Sequence, residues 1–211
     1  MYLRSLLIAA LVMSMAAFAQ DTGQDSPFQV RYASNLNIGE SVINITNSGA
    51  RGADLQAGTT ASITGSICVN VYAFSPDEQM VSCCSCPVTP NGLVSLGVNR
   101  DLTSNTLTPA VPTSVVVKLL ATAPVGGSCN NSAAGVVGAA LAPGMVAWGT
   151  TLHAGVAPGA WEVSETQFAP ATLSAGERFR LGTLCNFILA NGSGYGVCRS
   201  CRLGGLGGAK K

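Results

Sequence analysis

Residues 67–99 read ICVNVYAFSPDEQMVSCCSCPVTPNGLVSLGVN, and the fold is decided there. The stretch holds four of the eight cysteines, Cys68, Cys83, Cys84 and Cys86. Its first eight residues alternate. Ile67, Val69, Val71 and Ala73 point one way, and Cys68, Asn70, Tyr72 and Phe74 the other, which is the period of a strand. Ser75-Pro76-Asp77-Glu78 is a turn, because proline presets φ and the flanking Ser and Asp bond nearby backbone. A second strand runs from Gln79 to Cys86. Asn91-Gly92 then supplies the positive φ of another turn, and Leu93 to Val98 is a third strand. The expected unit is a three-stranded meander.

The alternation constrains the cysteines. A turn centred on Pro76-Asp77 sets Phe74 opposite Gln79 and Cys68 opposite Ser85. Cys68 and Cys83 then share a face on a diagonal of about 7 Å. That is too long for a bridge whose Cβ atoms sit about 3.8 Å apart, so a Cys68–Cys83 pairing needs a bulge or a slip. Neighbours on a strand point to opposite faces, so Cys83 and Cys84 take different partners. Cys84 and Cys86 face away from Cys68 and Cys83. The C-terminal Cys185, Cys198 and Cys201 are expected to serve one of these two faces.

The first 19 residues have the form of a secretory signal: Arg4, an apolar run from Leu6 to Phe18, and an A-x-A site at Ala17-Phe18-Ala19. The run is short for a span of about 20 residues, and no later run is long enough to cross a membrane. An exported chain with eight cysteines is expected to use Cys68, Cys83, Cys84, Cys86, Cys129, Cys185, Cys198 and Cys201 in disulfides. Charged residues make up 10% and the formal net charge is +1. That balance leaves no basic patch for nucleic acid or an anionic membrane.

The remaining chain reads as short strands with turns between them. In residues 28–33 (FQVRYA), Phe28, Val30 and Tyr32 alternate with Gln29, Arg31 and Ala33 after a flexible segment, 20–34 in all. Further strands are expected at 41–46, 113–121, 145–152 and 160–164, with loops at 51–60 and 124–138. Residues 35–203 form one β-rich domain, an antiparallel sandwich, and 204–211 form a Gly-rich tail. The period changes once. Leu181, Leu184, Cys185, Ile188 and Leu189 recur at helical spacing after a Ser174/Glu177 capping box, and Asn191-Gly192 stops the run. A helix over about 175–190 follows, with Cys185 facing the core. Phe187 lies off the stripe, which implies packing on more than one side.

The segments CVNVYAFSPDEQMVSCCSCPVTPNGLVSL and CNFILANGSGYGVCRSCRLGG resemble those of uncharacterised secreted bacterial proteins. The likeness covers most of the chain after the signal. It implies an exported bacterial protein and carries over no site residue.

Three chemistries are open. Cys83, Cys84, Cys86, Cys198 and Cys201 are candidate thiolates for a metal or redox site. However, C-C-S-C is not a standard ligand spacing, and the export signal implies oxidation. His153 is the sole histidine, and no G-x-S-x-G or H-E-x-x-H accompanies it. A hydrolase would need His153 brought together with a hydroxyl and a carboxylate. A glycosidase would need a carboxylate pair from Glu162 and Glu165 or Asp77 and Glu78. Third, Phe28 to Ala33 can complete a neighbour's sheet and drive self-assembly. The sequons Asn44-Ile45-Thr46 and Asn191-Gly192-Ser193 read as strand and turn chemistry. The expected role is a non-enzymatic secreted protein with no cofactor: a cell-surface, matrix or filament component, or a binding module. A thiol-based metal or redox protein and a motif-free hydrolase are the alternatives.

Overall fold

A computed structural model describes residues 26–53, 64–199 and 201–203. The expected signal 1–19, residues 20–25, most of the 51–60 loop and the tail 204–211 lie outside them.

The strands are β1 (Phe28–Ala33), β2 (Val42–Asn47), β3 (Ile67–Phe74), β4 (Met80–Val88), β5 (Leu93–Gly97), β6 (Val115–Thr122), β7 (Met145–Ala154), β8 (Trp161–Gln167), β9 (Ala169–Pro170) and β10 (Arg202–Leu203). Two helices, α1 (Ala133–Gly138) and α2 (Ala175–Ala190), and a π-helical turn, Val98–Thr103, complete the set. The strands form two antiparallel five-stranded sheets, ordered β4-β3-β6-β1-β9 and β10-β5-β2-β7-β8.

The sheets face each other across one apolar core. Val69, Val71, Val117 and Leu119 of the first meet Ile43, Ile45, Val94, Leu96 and Ala147 of the second. The outer face of the first sheet is roofed by the helices: Tyr72, Phe74, Cys83 and Leu120 pack against Val136, Leu181, Cys185 and Ile188. The layers are therefore helix, sheet and sheet. That order explains why β3 is buried at every position. Its one face meets the second sheet and its other face meets α2.

The meander is corrected by the topology. β3 and β4 are neighbours, but β5 crosses to the other sheet and pairs with β2 and β10. The β3–β4 register also differs from the expected one. Phe74 faces Met80, a bulge follows, and Cys68 lies opposite Pro87. The turn is one residue longer than expected. Ser75 N–H donates to Gln79 O and Glu78 N–H to Ser75 O, with Glu78 at φ +68°. The longer turn and the bulge together displace the pairing by two residues. Since side chains alternate with a period of two, Ser82 to Cys86 keep their expected faces beyond the bulge, whereas Met80 turns to the outer face beside Phe74 and Val81 to the inner core.

In α2, the Ser174 hydroxyl accepts from Glu177 N–H, which is half of the capping box. The other half is replaced. Glu177 pairs instead with Lys118 of β6, at 2.6 Å. Leu181, Cys185 and Ile188 are buried. Phe187 is 65% exposed, so the expected packing on a second side does not occur there. Gly182 has a role that helix propensity hides. A Cβ there would lie 3.0 Å from Ala133 Cα, so glycine lets α1 and α2 approach. α1 itself lies inside the stretch expected to be loop. Ser132 caps it, and Arg178 of α2 donates to the Val136 and Ala139 carbonyls at its end.

Candidate functional site

All eight cysteines are bridged: Cys68–Cys129, Cys83–Cys185, Cys84–Cys198 and Cys86–Cys201. Cys68 thus joins the 124–138 segment and not Cys83. The three C-terminal cysteines divide between the two faces of β4. Cys83 holds α2 on the outer face, and Cys84 and Cys86 hold the final segment on the inner. That segment also pairs with the edge of β4, where Cys83 N–H donates to Gly196 O and Cys198 N–H to Cys83 O. The sulfurs of Cys84, Cys86 and Cys201 lie within 4.8 Å of one another. These are the candidate thiolates that the fold gathers, together with Cys198 through its bridge. Cys83 stands apart on the opposite face. While bridged, the sulfurs carry no thiolate and hold no ion.

His153 lies near the end of β7. Its Nε2 is hydrogen-bonded to Ser164 Oγ of β8, 2.8 Å away. Glu162 sits directly opposite His153 in the β7–β8 pair, on the same face. Among the described residues the ion pairs are Arg100–Asp101, Lys118–Glu177 and Arg180–Glu177, so no carboxylate orients the imidazole. The register places Glu165 opposite Thr150, on the other face of the hairpin from Glu162. The two therefore do not form a facing carboxylate pair. Asp77 and Glu78 remain in the exposed β3–β4 turn, where the Ser75 hydroxyl donates to Asp77. That bond holds the Asp77 carboxyl below its ordinary value.

A group that the sequence reading did not single out stands beside this hairpin. Arg31 is on the inward face of β1 and only 7% exposed. Its Nε donates to Thr166 Oγ1 at 3.1 Å and its Nη2 to Thr151 Oγ1 at 2.8 Å. Nη1 is buried without a hydrogen-bond partner. The guanidinium lies on Gly149, where a Cβ would be 2.6 Å from three of its atoms. Burial pulls its pKa below the ordinary value. The available signal was the placing of Gln29 and Arg31 on the same face as Ala33. Both polar side chains turn into the interlayer: Gln29 Nε2 donates to Met145 O.

Three hollows ring the β3–β4 turn. One of about 400 Å³ lies between the turn and residues 108–112. One of about 310 Å³ reaches Leu184, Phe187 and Ile188 of α2. The third, about 350 Å³, holds Phe74, Lys118 and Arg180. The two cations of the last sit 4.9 and 5.7 Å from the Phe74 ring centre. Lys118 is already paired with Glu177.

No protein-family model matches the sequence, and no curated protein matches it. A solved structure described as "Crystal Structure of Thermotoga maritima 1070" is similar over 69% of this chain and 90% of that one, at 9% identity and a TM-score of 0.35, a likeness too distant to carry a shared fold or role.

Proposed function

We propose that the chain is an exported, non-enzymatic domain that binds at the bacterial cell surface or in its matrix. The observation that carries this reading is β8. All seven of its residues are exposed, Trp161 at 53% and Val163 at 64% among them. It is an edge strand displayed on both faces, and a large aromatic held there is a contact group for a partner. The four disulfides support export, since such bonds persist in oxidising compartments. Among the described residues no helix is long and apolar enough to cross a membrane.

A filament grown by donating Phe28–Ala33 is less favoured than a binder. β1 is paired with β6 along its whole length and with β9 at Gln29 and Val30. Donation would first break those pairings. The test is co-sedimentation of the oxidised protein, without residues 1–19, with envelope and matrix fractions. Retention that falls in Trp161→Ser and Val163→Ser supports a surface binder. Retention unchanged in both removes β8 as the contact. Electron microscopy showing filaments that vanish when residues 20–34 are deleted would favour the polymer.

A further inference from the structure

We propose that the ledge between β1 and the β7–β8 hairpin is an oxyanion-binding site built on Arg31, taking a carboxylate or phosphate group. It is separate from the outward face of β8 and does not depend on the binder reading.

Three rows of the hairpin face Arg31: Gly149 with Thr166, Thr151 with Ser164, and His153 with Glu162. The first two rows bear hydroxyls and no acid. Arg31 is a permanent cation, and a buried cation is ordinarily compensated by an anion because desolvation is costly. Here no carboxylate pairs with it among the described residues. Its partners are two threonine oxygens, and Nη1 has none.

The hydrogen-bond inventory points outward. Thr151 and Thr166 each accept an N–H from Arg31, so each keeps its own hydroxyl proton to donate. Ser164, next along the ledge, shares its oxygen with His153. Thr166 and Ser164 are exposed, so the mouth of the ledge opens to solvent while the guanidinium lies at its floor. Hydroxyl donors around an uncompensated guanidinium match the acceptor oxygens of a carboxylate or phosphate. Gly149 is the residue that makes room, since any side chain there would occupy the guanidinium's place. Glu162, at the far end opposite His153, disfavours a ligand with a second negative charge in that direction.

The test is an amide and guanidinium NMR titration of the oxidised protein with sodium acetate in one arm and inorganic phosphate in the other. Ionic strength is held constant with chloride. Saturable shifts are expected at the Arg31 Nε–H and at the amides of Thr151, Ser164 and Thr166. The arm with the tighter isotherm identifies the planar or the tetrahedral anion. Arg31→Met is expected to weaken binding roughly tenfold or more, the loss of a charged hydrogen-bonding group. Thr166→Val removes one acceptor of Arg31 but keeps the guanidinium and changes a residue on the exposed edge strand, so it keeps the test readable if Arg31→Met does not fold. It is expected to weaken binding while the other shifts persist. Shifts that never saturate in either arm, or an isotherm unchanged in the variants, overturn the site.

Discussion

Cys83 and Cys84 are adjacent in β4, yet their bridges leave on opposite sides of the sheet, to Cys185 of α2 and to Cys198 of the final segment. Strand alternation makes this unavoidable. The consequence is that one strand ties together all three layers. The helix is held from the outer face, and the C-terminal segment from the inner.

The bridges on the inner face are redundant in a way that unfolding can measure. Cys84–Cys198 and Cys86–Cys201 close loops with sequence separations of 114 and 115. When one is removed, the other still closes nearly the same loop, and only a few residues of extra freedom are released. Replacing either pair with alanine should cost about 2 kcal/mol, and replacing both about 5 kcal/mol. Denaturant unfolding of the single and combined variants checks this. Strict additivity from two large single losses would show that the chain-entropy account is wrong here.

The faces of β3 and β4 were legible in the sequence although their register was not. Beyond the bulge the true pairing is two residues from the expected one, and an even displacement preserves the direction of Ser82 to Cys86; Met80 and Val81, at the bulge itself, exchange faces. The sheet to which β5 belongs was not legible, because alternation says that a strand has two faces and not which strand lies beside it. α1 was hidden for a different reason. It is six residues long and set in a Gly/Ser/Asn-rich stretch, and it is held by Arg178 and by contact with Gly182, both on α2 and distant in sequence. Arg31 was hidden likewise. Its hydroxyl partners lie 120 and 135 residues away, and no local pattern marks them. Glu177 shows local and tertiary signals competing: its cap was visible, and its pairing with Lys118 was not.

Gly182→Ala tests whether packing overrides helix propensity. In an exposed helix, alanine would stabilise by about 1 kcal/mol. At this position the new Cβ meets Ala133 Cα at 3.0 Å, a backbone neighbour that yields only if α1 moves. The expected outcome is a net loss of about 1–3 kcal/mol. Thermal unfolding measures it, and a gain in stability would show that α1 shifts without cost.

Ser174→Ala removes the hydroxyl that accepts from Glu177 N–H, and about 1 kcal/mol of stability should go with it. Glu177→Gln removes an ion pair whose side chains are only 22% and 23% exposed, together with a favourable charge at the helix start. Its expected cost is about 1 kcal/mol, and less in high salt. The two effects act through different atoms. Salt dependence in the Glu177 variant and not in the Ser174 variant is therefore the distinguishing measurement.

Tyr72 links the fold to alkaline pH. Its side chain is fully buried between β3 and α2, and its hydroxyl has no hydrogen-bond partner. Burial pushes the phenol well above its ordinary value of 10.0, against a smaller opposite pull from Arg178. The folded state therefore keeps the proton where the unfolded chain gives it up. Its stabilising contribution is complete below about pH 10, the unfolded value, and is lost as pH rises above it toward the folded value. Tyr72→Phe keeps the ring and removes the ionisable group. The variant should lose less stability than the parent between pH 10 and higher pH. At neutral pH it should be unchanged or more stable by about 1 kcal/mol, because an unsatisfied hydroxyl leaves the interior. Denaturant unfolding at neutral and alkaline pH decides the matter. Parallel pH curves for the two proteins would mean that Tyr72 does not set the alkaline limit.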